Sequence, residues 1–390
     1  MDRSDWGLDE GITFLNHGSF GATPRVVLAA QSRIRAQLEA DPVRFLAREL
    51  EPALADLRAV VGDFVGADGD DIVFVRNATE GINAVLRSLR FEPGDEIVMT
   101  DHGYNAVNNC VRFVAERAGA RVVTAAVPFP LGHEDEVMAA LERTLSARTR
   151  LVVVDHVTSA TGMVFPVRRI CARLAESGIE VLVDGAHGPG MLALELRSLK
   201  ATFYAANFHK WVCAPKGAAM LYVDAARQAD IVPTVISHGY NSSRARSRFL
   251  EMFDWTGTSD PSALLAVPVA LRWLEKEGGG WDRLRARHRE LLLTGRDIVA
   301  SALDVPPPVP DRMLGSLASL PLPEGEARPP GSALYPDELQ LELFERFAIE
   351  VPVAPWPCPP RRLLRISAFS YNSVAEYRRL ADALKALLPH

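Results

Sequence analysis

Lysine is scarce in this 390-residue chain. There are five, Lys200, Lys210, Lys216, Lys276 and Lys385, and arginine supplies nearly all the other positive charge. A guanidinium stays protonated and delocalised and cannot form a Schiff base, so few residues are open to amine chemistry. Cysteine is also rare. Cys110, Cys171, Cys213 and Cys358 are scattered with no CxxC spacing. That pattern excludes a disulfide framework and a zinc site, and a reducing cytoplasm is the expected compartment. No stretch approaches 18 apolar residues, so no membrane-spanning helix is expected. The first residues, Met1-Asp2-Arg3-Ser4-Asp5, lack a basic-then-apolar leader pattern. Positive charge is in deficit: the net charge of −6 argues against a nucleic-acid partner.

What remains is an ordinary globular composition, 48% hydrophobic and 24% charged, in a length that suits two domains. Residues 1–25 read as an irregular arm ending in Asn16-His17-Gly18-Ser19-Phe20-Gly21. Helical periodicity follows from about Pro24 to Phe64. Strands and helices then alternate, with strands at 72–75, 96–100, 121–127, 151–154, 181–183, 202–205 and 218–223. Their apolar runs are continuous, which suits a mainly parallel sheet covered on both faces. This predicts a large α/β domain over 26–245 with a seven-stranded sheet. After about residue 245 the pattern changes. Helices at 261–277 and 281–303, a strand around Gly315–Leu320, the strand Leu363–Ser367 and a last helix read as a smaller α+β domain over 246–390.

Two residues carry the sharpest signal. Asp184 closes the run Val181-Leu182-Val183, and Lys210 follows the next strand. In such sheets ligands bind beyond the carboxyl ends of the strands. An acid at one strand end and a lysine beyond the next is the pair that pyridoxal phosphate needs: the amine forms a Schiff base, and the carboxylate keeps the pyridine nitrogen protonated. Lys200, Lys276 and Lys385 read as solvated surface charges. Lys216, after Ala214-Pro215, is the rival, but it lacks a strand to aim it.

Other residues suit the same ligand. Arg76-Asn77-Ala78-Thr79-Glu80-Gly81 joins a strand to a helix and offers backbone amides and the Thr79 hydroxyl to a phosphate. A plain N-cap by Thr79 is the alternative. Asn207 and His209 alternate before the lysine and could reach the same phosphate, and Thr256-Gly257-Thr258 offers a second contact. His187, three residues past Asp184, could donate to the phenolic oxygen; a structural histidine after the strand is the alternative. His102, at another strand end, could lie on the ring face, with Tyr104 as its rival. Arg365 sits in an apolar strand, where a guanidinium requires an anionic partner. A substrate α-carboxylate would pair with it bidentately, as would an internal Asp or Glu.

The chain resembles the class V, fold-type-I pyridoxal-phosphate enzymes, most closely the isopenicillin N epimerase-like branch. The resemblance rests on Asn16-His17-Gly18-Ser19-Phe20-Gly21, Asn77-Ala78-Thr79-Glu80-Gly81 and Thr100-Asp101-His102-Gly103-Tyr104. It continues through Asp155-His156-Val157-Thr158-Ser159, Asp184-Gly185-Ala186-His187, Asn207-Phe208-His209-Lys210-Trp211, Trp255-Thr256-Gly257-Thr258 and Arg365-Ile366-Ser367. It implies that Lys210 carries the Schiff base, Asp184 meets the pyridine nitrogen, His187 the phenolic oxygen, and His102 stacks on the ring. Ala78, Thr79, Asn207 and His209 would hold the phosphate, with Thr258 reaching in from the second subunit of a homodimer. Arg365, Asn16 and Ser159 would face an amino-acid substrate. The implied reaction is epimerisation, with a carbon–sulfur lyase (hercynylcysteine sulfoxide lyase- or cysteine desulfurase-like) and a class V aminotransferase as alternatives. Epimerisation needs a second acid, for which Tyr104, His17 and a water on Ser159 are open choices. Cys358 departs from the desulfurase spacing, because it lies only seven residues before Arg365.

Overall fold

The computed structural model describes residues 1–325 and 337–388. Seven strands form the central sheet: β1 Ile72–Val75, β2 Glu96–Thr100, β3 Arg121–Ala125, β4 Thr149–Asp155, β5 Glu180–Asp184, β6 Phe203–Asn207 and β7 Ala219–Val223. Their order is β1-β7-β6-β5-β4-β2-β3. Only β7 pairs antiparallel with its neighbours; the rest are parallel, as the unbroken apolar runs predict. Alternate residues feed two cores. Phe74, Val152, Val154, Val181 and Val183 enter one, and Val73, Val75, Leu151, Val153 and Leu182 enter the other. A sheet buried on both faces is the result.

Helices cover those faces: α1 Arg25–Ala40, α2 Leu50–Val65, α3 Ala78–Ser88, α4 Asn105–Ala118, α5 Asp135–Glu142 and α6 Val167–Ala175. The single periodic stretch expected over 24–64 is split into α1 and α2. Asp41 caps a new start, its carboxylate accepting from the Arg44 N–H, and Pro42 cannot continue the ladder.

Beyond the sheet come α7 Val267–Gly278, α8 Trp281–Leu303, α9 Glu338–Phe347 and α10 Val374–Leu387. The strands β8 Leu317–Pro321, β9 Val353–Pro355 and β10 Arg362–Ser367 form an antiparallel sheet in the order β9-β10-β8. Ser319 of β8 lies opposite Arg365 of β10. The Ser319 hydroxyl donates to the Ala160 carbonyl at 2.7 Å, tying this small sheet to the loop after β4. No helix among the described residues is long and apolar enough to cross a membrane.

Two glycines set close approaches. A Cβ on Gly185 would lie 2.0 Å from the Tyr204 ring, so the turn after β5 admits no side chain. Gly21 has φ +71, and a Cβ there would lie 2.3 Å from the His209 carbonyl oxygen. The N-terminal arm therefore packs directly on the lysine loop.

Candidate active site

A cavity of about 400 Å³ opens at the carboxyl ends of the parallel strands. Asp184, Lys210, His187, Asn207, His209, Ala78, Thr79, Ser159 and Tyr104 all line it, as the sequence predicts. Asp184 and Lys210 arrive from β5 and from the turn after β6.

Lys210 is held in a dry, charged setting. Its Nζ is 3.1 Å from His187 Nε2. Burial pulls the amine down to about 8, against the attraction of Asp184. Asp184 accepts the Ala186 N–H at 2.9 Å. Asp155 ends β4 directly opposite Asp184 and also lines the cavity. Burial first, then the Asp184 charge, raises Asp155 well above the carboxylate range. Burial raises Asp184 as well, but the Ala186 N–H and Lys210 oppose it. Like carboxylates side by side cannot both ionise cheaply. Burial and the Asp184 charge favour the proton on Asp155, while the Ala186 N–H and Lys210 favour the charge on Asp184.

One wall is suited to an anion. α3 begins at Ala78, with Asn77 rather than Thr79 as its cap: the Asn77 carboxamide accepts the Glu80 N–H at 2.9 Å. Asn207 Oδ1 accepts the Ala78 N–H at 2.8 Å, which leaves its amide NH₂ as a donor. His209 Nδ1 is buried with no partner, and burial lowers its imidazole to about 4. An orphaned ring nitrogen beside a helix N-terminus fits a phosphate group. Lys216, which the sequence ranked only as a rival amine, lines the same cavity and donates to the Gly21 carbonyl at 2.8 Å.

Behind the cavity-lining Ser19 and Ser159 stands a guanidinium suited to a carboxylate. Arg365 is 7% exposed. Its Nη1 donates to the Ser159 carbonyl and its Nη2 to Ser19 Oγ, both at 2.7 Å. Among the described residues no carboxylate pairs with it, and its Nε is buried without a partner. Burial pulls the guanidinium down to about 10. An internal salt bridge, the alternative open from sequence, is therefore not what the chain has built.

Three expectations need correction. His102 does not lie on the cavity: its Nδ1 meets Thr161 Oγ1 at 2.8 Å, its Nε2 meets the Val127 carbonyl at 3.0 Å, and its ring packs 4.5 Å from Trp356. Tyr104, 45% exposed, lines the cavity mouth instead. Asn16 stands one layer back, accepting from Ser19 Oγ and donating to Glu350 at 3.1 Å, so that Ser19 is the residue facing inward. His17 is fully buried between Tyr371 OH at 2.7 Å and the Lys210 carbonyl at 3.0 Å, and cannot serve as a second acid. Thr258 lines a separate cavity of about 490 Å³ in its own chain, with Thr256, Arg76 and Glu80. Cys358 is exposed and lines neither cavity, and no cysteine lines the Lys210 cavity. Sequence reasoning missed Asp155, although it closes Val152-Val153-Val154 as Asp184 closes its own run. It also missed Ser19, which lies in the same stretch as Asn16.

Residues 14–306 match the aminotransferase class-V family model. The isopenicillin N epimerase of Amycolatopsis lactamdurans is 35% identical, over 99% of this chain and 97% of the relative. A probable chloroplastic L-cysteine desulfhydrase of Arabidopsis thaliana is 31% identical, over 97% of this chain and 84% of the relative. Among solved structures, a lysine-to-alanine mutant of C-DES with glycine covalently linked to the PLP cofactor aligns with a TM-score of 0.81 at 24% identity, over 99% of both chains. The cystine C–S lyase C-DES with its product cysteine persulfide aligns at 0.80 and 23% identity, over 97% of this chain and 99% of that one. The fold, the lysine–aspartate pair and the full-length match agree, and the chain belongs to the class-V aminotransferase family of pyridoxal-phosphate-dependent enzymes.

Proposed function

We propose that the chain removes the Cα proton of an amino-acid substrate and returns it on the opposite face, acting as an isopenicillin N epimerase-like amino-acid epimerase. The observation that carries this reading is the buried Arg365, which meets no carboxylate among the described residues and bonds Ser159 and Ser19, both of which line the cavity of Asp184 and Lys210. The 35% identity to two isopenicillin N epimerases ranks epimerisation first.

Pyridoxal phosphate supplies, when bound, an aldehyde that joins an amine and a ring that takes up electrons. The chain's own residues do the rest. Thr79, Asn207 and His209 would hold the phosphate; the Ala78 N–H, expected to join them, is already given to Asn207 Oδ1. Asp184, ionised beside a neutral Asp155, would accept a hydrogen bond from the pyridine nitrogen's N–H and keep that nitrogen protonated. Arg365 would fork onto the α-carboxylate and fix the orientation of the substrate's Cα. Lys210, with its amine near neutrality, takes the Cα proton as a general base. Tyr104, at the cavity mouth, would return a proton to Cα from the side away from Lys210. Asp155 sits too deep, beside Asp184, for that task.

Carbon–sulfur lysis is the second reading, and the 31% identity to a probable cysteine desulfhydrase supports it. A desulfurase that passes sulfur to its own cysteine is disfavoured, because no cysteine lines the cavity. A homodimer is part of the proposal. Val235, Ile236 and Tyr240 are exposed on the segment leading to Thr258, and Phe20 and Tyr104 are exposed at the cavity mouth. A second copy would cover them and bring its Thr258 to the phosphate.

The test is incubation with amino acids and cysteine conjugates in D₂O. Inversion at Cα with the side chain intact supports the epimerase; release of pyruvate selects the lyase. Inertness of wild type toward every amino acid, with no Cα exchange, overturns both.

A further inference from the structure

Trp211 follows the lysine and is 1% exposed. Its indole Nε1 lies 3.1 Å from His187 Nδ1. An indole nitrogen can only donate a hydrogen bond. His187 Nδ1 must therefore present its lone pair. Burial, Lys210, Arg365, His17 and His209 all hold this imidazole well below its ordinary range, so the ring is neutral and carries one proton. With Nδ1 occupied as an acceptor, that proton is on Nε2, the atom 3.1 Å from Lys210 Nζ.

We propose that Trp211 is a positioning residue that locks His187 in its Nε2–H tautomer, so that the ring donates toward Lys210 and favours the neutral amine. An ammonium at Nζ has three donors and no acceptor. Facing an N–H it would meet repulsion; facing a lone pair it would be stabilised. The indole excludes the second arrangement. The neutral amine has a lone pair and accepts from Nε2–H. The lock thus acts in the same direction as burial and Arg365, and against Asp184 and the mostly neutral Asp155, the other groups that face Lys210. It places a nucleophilic amine where one is needed. Toward a bound cofactor the same N–H is a donor, which suits an anionic phenolic oxygen and not a protonated one.

The lock rests on the assignment of Lys210 as the reactive amine only for its consequence. The tautomer itself can be read without it. In the full-length chain labelled with ¹⁵N in histidine, long-range ¹H–¹⁵N correlation reports which ring nitrogen carries the proton, and a His187→Gln variant assigns the signals. The expected pattern, with and without pyridoxal phosphate, is a lone-pair Nδ1 and a protonated Nε2. A protonated Nδ1 in wild type overturns the proposal, and this result needs no Trp211 variant to fold.

Trp211→Phe then removes the donor. The neutral fraction of Lys210 at pH 7, read from the rate of modification by an amine reagent on the cofactor-free chain, should fall roughly fivefold, the ratio set by one ordinary hydrogen bond. His187→Gln should keep that fraction near wild type, because its carbonyl can accept from Trp211 while its amide donates to the lysine. An unchanged tautomer and unchanged lysine reactivity in a folded Trp211→Phe chain overturn the lock. An Nε2-protonated His187 beside a Lys210 that no reagent reaches supports the lock and overturns the functional reading, so the two failures are distinct.

Discussion

Replacing Arg365 with methionine separates a ligand role from a structural one. The guanidinium is buried, lowered to about 10, and bonded only to Ser159 and Ser19. Each pH unit corresponds to about 1.4 kcal/mol, so holding this charge in the folded chain costs on the order of 3 kcal/mol. Losing the two hydrogen bonds costs about 1 kcal/mol each. The two effects nearly cancel, and the variant should unfold within about 1–2 kcal/mol of wild type. A residue that stabilised the chain through a buried ion pair would behave differently: its loss would cost about 3–5 kcal/mol. Activity should move far more. A bidentate carboxylate contact to a buried arginine supplies about 3–5 kcal/mol, or roughly 10²–10⁴ in kcat/KM. The assay is Cα-proton exchange into D₂O, followed by NMR for an amino acid and for the amine that lacks its carboxylate. Wild type should prefer the amino acid strongly, and the methionine variant should treat the two alike. Retention of the preference within fivefold, or a large loss of stability, would refute the assignment.

Three further outcomes follow from the same groups. Lys210 has its folded amine lowered to about 8, so between that value and its unfolded value near 10.4 the unfolded chain binds the extra proton and stability rises with pH. Below pH 8 the penalty is fully present, and cofactor-free Lys210→Met should be more stable than wild type by roughly 2–3 kcal/mol at pH 7, a gain lost by pH 10.5 in denaturant titrations. Asp155 is raised well above its ordinary range, so the folded chain binds the extra proton and wild type loses stability as pH rises above about 4. Asp155→Asn should therefore gain thermal stability over wild type from pH 5 upward, and a variant less stable than wild type at pH 7 contradicts the shared-proton account. His209→Ala should weaken pyridoxal-phosphate affinity about tenfold, as one lost charge-assisted hydrogen bond does, whereas His102→Ala should leave that affinity within about twofold and lower the melting temperature; fluorescence titration and calorimetry check the pair.

The central sheet was legible because its strands are buried on both faces. Unbroken runs such as Val181-Leu182-Val183 have no other comfortable place, and each strand end then marks the ligand side. Lys210 and Asp184 could be read by elimination in a chain with five lysines. What periodicity could not supply is which of two neighbouring side chains turns inward. His102 and Tyr104 both follow β2, and only the three-dimensional path sends the imidazole to Thr161 and the phenol to the cavity. Asn16 and Ser19 exchange roles for the same reason: a four-residue helical turn, His17–Phe20, rotates the hydroxyl toward Arg365. That no carboxylate among the described residues meets Arg365 follows from the three-dimensional path of the chain and cannot be read along the sequence.

The most direct test of the account is to reduce the purified holoenzyme with borohydride, digest it and locate the pyridoxyl group by mass spectrometry. The account predicts a single modified lysine, Lys210, with the cofactor's absorption lost in Lys210→Ala. A pyridoxyl group on Lys216, which lines the same cavity, or a chain that takes up no pyridoxal phosphate at all, would contradict it.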